Sequence, residues 1–198
     1  MNNRQDVWRL AELLQRALFL FERAGIDSPR TDAELLLAHC LSLSRTELYL
    51  RAEDVVGEAQ AHSCLGIFER RCRREPVAYI TGECEFWSQS FEVTPAVLIP
   101  RPETELLIER VLARDDDFYQ QSKCLDLCSG SGIIAIVLAL ELGLELITVE
   151  ISNPALEICR RNCVRHGVEN KVQLIQADLT TCFLENEQFG LITVNPPY

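Results

Sequence analysis

Between Asp6 and Arg23 the apolar residues Val7, Leu10, Leu14, Ala17, Leu18 and Phe21 recur at steps of three and four, the period of a helix that buries one face. Gly25 ends that pattern. Ser28-Pro29 then opens a second helix with a capping residue followed by a proline at the tolerated first position, and Ala33, Leu36, Leu37 and Cys40 form its inner stripe. Ser44-Arg45-Thr46-Glu47 has the spacing of a capping box for a short third helix. A fourth runs from about Gly57 to Arg74, closed by Pro76. Residues 1–78 thus read as a helical bundle.

The period changes after Pro76. Glu85-Phe86-Trp87 and Phe91-Glu92-Val93-Thr94, separated by Ser-Gln-Ser, predict a hairpin, and Pro95, Pro100 and Pro102 punctuate a connector, so residues 79–100 form a junction. Pro102 starts a helix carrying Leu106, Leu107, Val111 and Leu112, and Asp115-Asp116-Asp117 is a solvated loop. From Lys123 strands and helices alternate: strands at Cys124–Leu127, Leu146–Ile151, Val172–Ile175 and Leu191–Val194, helices at Ile133–Leu142 and Pro154–His166. Such alternation predicts an α/β fold over 101–198, a Rossmann-like parallel sheet whose ligands bind at the carboxyl ends of the strands.

Composition narrows the class. The 198 residues are 47% hydrophobic and 25% charged, an ordinary globular balance in a chain long enough to bury a core without disulfide or metal staples. Asp6, Glu12, Glu22 and Asp27 fit neither a signal nor a transit peptide, and no apolar run reaches the ~20 residues of a membrane span, which predicts a cytoplasmic protein. The net charge of -11 is concentrated toward the end, with 8 basic against 16 acidic groups over residues 91–198. Such a surface repels bare phosphate and disfavours nucleic acid as a substrate. Arg70, Arg71, Arg73 and Arg74 are the one basic cluster, read either as a helix end that complements the macrodipole or as a contact to a partner. The nine cysteines include no C-x-x-C pair and read as reduced core residues, with no metal site.

Four short segments carry candidate chemistry. Cys128-Ser129-Gly130-Ser131-Gly132, following Asp126-Leu127, joins the first sheet strand to its helix, where small residues let a ligand approach the backbone. Gly130, Gly132 and Ala135 also fit a dinucleotide pattern, so a nicotinamide cofactor stays open. Glu150 ends the next strand, 24 residues beyond Asp126, where a carboxylate commonly receives ribose hydroxyls. Asp178 after the third strand can receive an adenine amino group while Leu179 covers the ring. Asn195-Pro196-Pro197-Tyr198 follows the fourth strand. The Asn195 side-chain carbonyl and the Pro196 carbonyl, the latter stiffened by Pro197, can accept both hydrogens of a planar NH2 group while Tyr198 stacks on it.

This combination resembles class I S-adenosylmethionine-dependent methyltransferases acting on planar nitrogens. More narrowly, the chain resembles the release factor N5-glutamine methyltransferase family. The similarity is carried by Ser28-Pro29-Arg30-Thr31-Asp32-Ala33-Glu34-Leu35-Leu36-Leu37-Ala38-His39, by Pro76-Val77-Ala78-Tyr79-Ile80-Thr81-Gly82 with Glu85-Phe86-Trp87, and by Leu98-Ile99-Pro100-Arg101-Pro102-Glu103-Thr104-Glu105. The resemblance implies that residues 1–78 recognise substrate and that 101–198 hold S-adenosyl-L-methionine. Cys128, Ser129, Gly130, Ser131 and Gly132 would wrap its methionine part, Glu150 its ribose, and Asp178 and Leu179 its adenine. Asn195, Pro196, Pro197 and Tyr198 would hold the glutamine amide of a peptide chain release factor, with Asn195 also near the cofactor. Many members carry Gly in place of Cys128, whose side chain would narrow the pocket. The family's sheet has seven strands, so the strands here correspond to its 3-2-1-4 half and leave the fourth as an exposed edge; a truncated chain is the expectation. An adenine-N6 methyltransferase, a nicotinamide oxidoreductase and a noncatalytic cofactor-binding fragment are the alternatives.

Overall fold

The computed structural model describes residues 8–114, 119 and 122–196, so the expected loop Asp115–Asp117 and the motif residues Pro197 and Tyr198 lie outside the described residues. The chain divides into two units, Met1–Thr81 and Gly82–Tyr198. Among the described residues no helix is long and apolar enough to cross a membrane.

The first unit is helical: α1 (Leu10–Arg23), α2 (Pro29–Leu41), α3 (Arg45–Leu50), α4 (Glu58–Cys72) and α5 (Val77–Thr81). The expected stripe of α1 is buried at Leu10, Ala17 and Phe21, joined by Leu13, while Leu14 and Leu18 sit at its margin. Phe21 meets Phe68 of α4 edge-on, with ring centroids 5.9 Å apart. The helix starts at Leu10 rather than Asp6 because Trp8–Arg9 (β1) pairs antiparallel with Val55–Val56 (β2), a ladder too short to leave a period in the sequence. α5 has five residues and is hidden for the same reason. The predicted capping box closes as expected, Glu47 N donating to Ser44 Oγ and Ser44 N to Glu47 Oε2. Ser28 stands at the N-cap of α2 but makes no side-chain capping bond.

Charged groups in this unit bind one another. Glu34 is buried and receives Arg30, Arg45 and the Tyr49 hydroxyl. The Tyr49 hydrogen bond, then that of Arg45, pulls its carboxyl down to about 2. A carboxyl held this low adds stability above its ordinary range that is lost as pH falls toward 2. The arginine cluster is engaged within the unit: Arg70 with Glu75, Arg71 with Asp32, Arg73 with Glu69, and Arg74 with the carbonyls of Ala24 and Gly25.

The second unit begins with a hairpin, β3 (Glu83–Phe86) and β4 (Gln89–Glu92). Its turn is Trp87-Ser88, with φ of 52° and 54° at the two central residues, and not the expected Ser-Gln-Ser. Tight hairpins need this left-handed pair to match strand twist and usually advertise it with Asn-Gly; Trp-Ser gives no such signal, so the sequence pattern starts the turn one residue late and assigns Trp87 to a strand. Helix α6 (Glu103–Leu112) follows Pro102, as expected. Then come β5 (Cys124–Leu127), α7 (Ile133–Glu141), β6 (Leu146–Glu150), α8 (Asn153–Arg165), β7 (Val172–Gln176) and β8 (Leu191–Val194). The four strands form one parallel sheet in the order β7-β6-β5-β8, the expected 3-2-1-4 arrangement. Helix α7 is buried from Ile133 through Ala139, as an element apolar on all sides must be.

One polar residue holds this unit's layers in place. Asn162 lies on the apolar stripe of α8, fully buried. Its Oδ1 accepts from Glu92 N at 2.8 Å, and its Nδ2 donates to the carbonyls of Glu92 and Ser131, each at 3.0 Å. The hairpin, α8 and the loop after β5 are thereby joined through one amide. Asn162→Ala removes all three bonds and strands the buried Ser131 carbonyl, with the half-buried Glu92 N–H and carbonyl beside it, so denaturant unfolding is expected to show a loss on the order of 3 kcal/mol.

Candidate active site

The loop Cys128–Gly132 leaves β5 at its carboxyl end and turns sharply into α7. Cys128, Gly130 and Gly132 have φ of 57°, 53° and 79°. Gly132 is required twice over, by its φ and because a Cβ there would lie 2.3 Å from Cys159 Sγ on α8. At Gly130 a Cβ would meet nothing within 4 Å, so this part of the backbone is open to a ligand. Cys128 adopts the left-handed conformation without being glycine, at a cost of about 1–2 kcal/mol. The expectation that its side chain narrows the pocket is thus joined by a backbone reason why glycine suits the position better.

Glu150, at the end of β6, grips the loop. Its Oε2 accepts from Gly130 N and its Oε1 from Ser152 N, both at 3.0 Å. Each oxygen keeps a further lone pair for a hydroxyl. Asp126, one residue from the end of β5, is fully buried; Thr193 Oγ1 donates to its Oδ1 at 2.7 Å. Its Oδ2 and the neighbouring Ser129 Oγ are buried with no hydrogen-bond partner among the described residues. Burial, with the Glu150 charge adding to it against the Thr193 bond, pushes the Asp126 carboxyl up to about 7. The Cys128 thiol is also raised, first by burial and then by the charges of Glu150, Asp126 and Asp178. The Glu150, Asp126 and Asp178 carboxyls thus all lie near enough to this loop to act on the Cys128 thiol.

A cleft of about 50 Å³ lies between the loop and the connector, lined by Ser129, Gly130, Ile134, Asn195, Pro100 and Thr104 among others. The predicted loop residues and Asn195 are brought together here, and the connector run supplies a wall that the residue-level reading did not assign. Pro196 is exposed just beyond Asn195. Asp178 and Leu179 are exposed on the turn after β7, Leu179 with a φ of 47°, and form no part of that cleft's lining. Larger hollows lie elsewhere: about 320 Å³ in the helical unit against Leu14, Leu18 and Tyr49, and about 880 Å³ along the outer edge of β8. Neither gathers buried unpartnered polar atoms, so size does not locate the chemistry. Asp126, Thr193 and Asn162 were not singled out as site residues from sequence. The signal was present in each, a polar side chain inside an apolar pattern.

Two outcomes follow from this geometry. Cys128→Gly should gain about 1 kcal/mol in urea unfolding by relieving the left-handed backbone. Because the Asp126 carboxyl is raised in the fold, the protonated form is favoured there, and the stability it contributes below the ordinary carboxylate range is lost as pH rises through about 7. Melting temperature should fall over that window in the unsubstituted protein and stay flatter in Asp126→Asn.

Residues 12–82 match the family model described as PrmC N-terminal domain, and residues 102–198 the one described as Methyltransferase small domain. Among solved structures, an RNA methyltransferase from Salinibacter ruber in complex with S-adenosyl-L-homocysteine is 26% identical, over 50% of this chain and 60% of that one, with a TM-score of 0.40. Release factor glutamine methyltransferases are similar over almost the whole chain. That of Chlorobaculum tepidum is 39% identical over 202 residues, covering 98% of this chain and 69% of its own length. That of Nitratidesulfovibrio vulgaris is 39% identical over 190 residues, 96% of this chain and 64% of its own length, and that of Escherichia coli 39% over 173 residues, 87% and 61%. The chain spans about two thirds of the length of these curated relatives. The two family models cover the helical unit and the α/β unit in turn, and the chain belongs to the release factor glutamine methyltransferase family.

Proposed function

We propose that this chain carries the cofactor loop and amide clamp of an enzyme that methylates the side-chain nitrogen, N5, of a glutamine in a peptide chain release factor, with S-adenosyl-L-methionine as methyl donor. The observation that carries this reading is the meeting of Asn195 with the loop Ser129–Ser131 across one cleft. The residues fit such a cofactor: the orphaned Asp126 Oδ2 and Ser129 Oγ offer polar partners, Gly130 leaves room, and the surrounding carboxylates suit a cationic molecule. In this reading Cys128–Gly132 hold the methionine part, Glu150 the ribose hydroxyls, and Asp178 with Leu179 the adenine. When bound, S-adenosyl-L-methionine supplies an electrophilic methyl on its sulfonium.

The amide nitrogen is a poor nucleophile because its lone pair is delocalised into its carbonyl. Asn195 and Pro196 act by orientation, two carbonyls accepting the two N–H groups, and the roles of Pro197 and Tyr198 are those the family resemblance implies. As the new N–C bond forms, the nitrogen becomes acidic and gives up a proton along one of these bonds to water. Rate comes from alignment of the reacting atoms and from carbonyl dipoles aimed at the N–H groups as they gain positive charge. The partner is a release factor protein, met in the cytoplasm and on the ribosome, with no direct nucleic-acid substrate and no membrane.

The alternatives are separated by charge. A pyrophosphate-bearing nicotinamide cofactor would face Glu150, Asp126 and Asp178. A nucleic-acid adenine substrate calls for a basic groove, and the arginines that could have built one are already bound to Glu75, Asp32, Glu69 and backbone carbonyls. A noncatalytic cofactor-binding fragment is the remaining alternative.

A thermal melt with saturating S-adenosyl-L-methionine should move upward by several degrees. Asn195→Ala should keep measurable cofactor binding, weakened, and lose at least ~100-fold in methyl transfer to a release factor. Full transfer by that variant overturns the clamp, a shift with NAD in place of S-adenosyl-L-methionine overturns the cofactor, and a cofactor shift without transfer leaves the noncatalytic reading.

A further inference from the structure

β8 carries Asn195 to the cleft. Among the described residues it is hydrogen-bonded to one strand only, β5. Ile192 and Val194 point into exposed positions, 52% and 40% accessible, which leaves Leu191 and Thr193 as its inward anchors. At Thr193 a strand fixed by packing alone would carry valine, which has the same shape and no hydroxyl to satisfy. The hydroxyl here is 3% exposed as part of its residue and donates to Asp126 Oδ1 at 2.7 Å, with the Leu125 carbonyl at 3.4 Å.

The register gives this bond its leverage. Asp126 and Thr193 are direct partners in the parallel ladder. Asp126 lies two residues before Cys128, where the cofactor loop begins, and Thr193 lies two residues before Asn195. A single buried side-chain bond thus ties the strand that ends in the loop to the strand that ends in the clamp. With Asp126 Oδ2 unpartnered, it is also the only donor to this carboxylate among the described residues.

We propose that Thr193 is a positioning residue: by donating to Asp126 it fixes the spacing between the cofactor loop and Asn195 and holds the Asp126 carboxylate in the orientation that the loop requires. This rests on the methyltransferase reading above. The groups that face Asp126 are Glu150 from β6, the Cys128 thiol from the loop and the Cys159 thiol from α8; none supplies a donor charge, so loss of the Thr193 hydroxyl drives the Asp126 proton affinity upward. Because a cationic cofactor favours the ionised form, its affinity should rise with pH through the titration of Asp126. That rise should move to higher pH when Thr193 is lost.

The test compares Thr193→Val and Thr193→Ser with the unsubstituted full chain. S-adenosyl-L-homocysteine and S-adenosyl-L-methionine binding are followed by calorimetry from pH 5.5 to 9 (a range of about 1.5–2 units about the titration of Asp126). Amide hydrogen exchange is followed at residues 128–132 and Asn195, and methyl transfer to a release factor gives kcat and KM. Thr193→Val is expected to shift the S-adenosyl-L-methionine affinity profile to higher pH, to speed exchange at the loop and Asn195 together, and to lower kcat about 10–100-fold with KM for the cofactor little changed at high pH. Thr193→Ser, which keeps the hydroxyl, should restore all three. A Thr193→Val protein that binds cofactor with an unshifted profile, exchanges normally and turns over normally overturns the positioning role while the methyltransferase reading stands. Failure of the unsubstituted chain to bind either cofactor form overturns the reading and the role with it. Binding without transfer leaves the pH profile and exchange to decide the role.

Discussion

The second unit depends on the burial of one amide. Asn162 accepts from Glu92 N at its Oδ1 and donates from its Nδ2 to the carbonyls of Glu92 and Ser131, so the hairpin and the loop Cys128–Gly132 are fixed to the same turn of α8. Each bond alone adds modestly to stability, but each broken partner would be a polar atom left dry, and that asymmetry makes the arrangement close to all-or-none. The Gly132 contact with Cys159 adds a steric condition on the same helix one turn away. Loop geometry is therefore imposed from α8 as much as from the strand that delivers it.

Repetitive structure was legible because burial leaves a period. The helices α1, α2, α4 and α8 and all four parallel strands announce themselves in that way; their alternation implied a parallel sheet, and its strand order came from the family resemblance. What the sequence hid were elements held by a few backbone bonds: the Trp8–Arg9 ladder, the five residues of α5, and a hairpin turn built on Trp87-Ser88. The Cys128–Gly132 loop, Glu150 and Asn195 stood out because small residues or isolated polar ones end apolar strands. Asp126, Asn162 and Thr193 lie inside such patterns, where a polar letter is easily taken for noise. Their partners come from elements 31 to 70 residues away in sequence, a pairing that only the fold can supply.

The cleft combines features that a stable core avoids. Among the described residues the Asp126 carboxyl is buried with one oxygen unpartnered, the Ser129 hydroxyl is buried and likewise unpartnered, and a non-glycine residue holds a left-handed backbone. All three occur within four residues of chain, 126–129. Elsewhere in the same unit buried polar side chains such as Thr148 find partners. Strain and missing bonds of this kind concentrate where a protein keeps capacity for something it binds.

Helix α7, into which the loop runs, is walled in by protein from Ile133 to Ala139. Its amides belong among the last to open, since exposing them means breaching the central core. The turn at Asp178 and Leu179, after β7, is exposed and has no such cover. The end of the loop that feeds α7 is thus tied to the slowest-opening part of the unit, and keeps its shape through fluctuations that loosen the sheet's periphery.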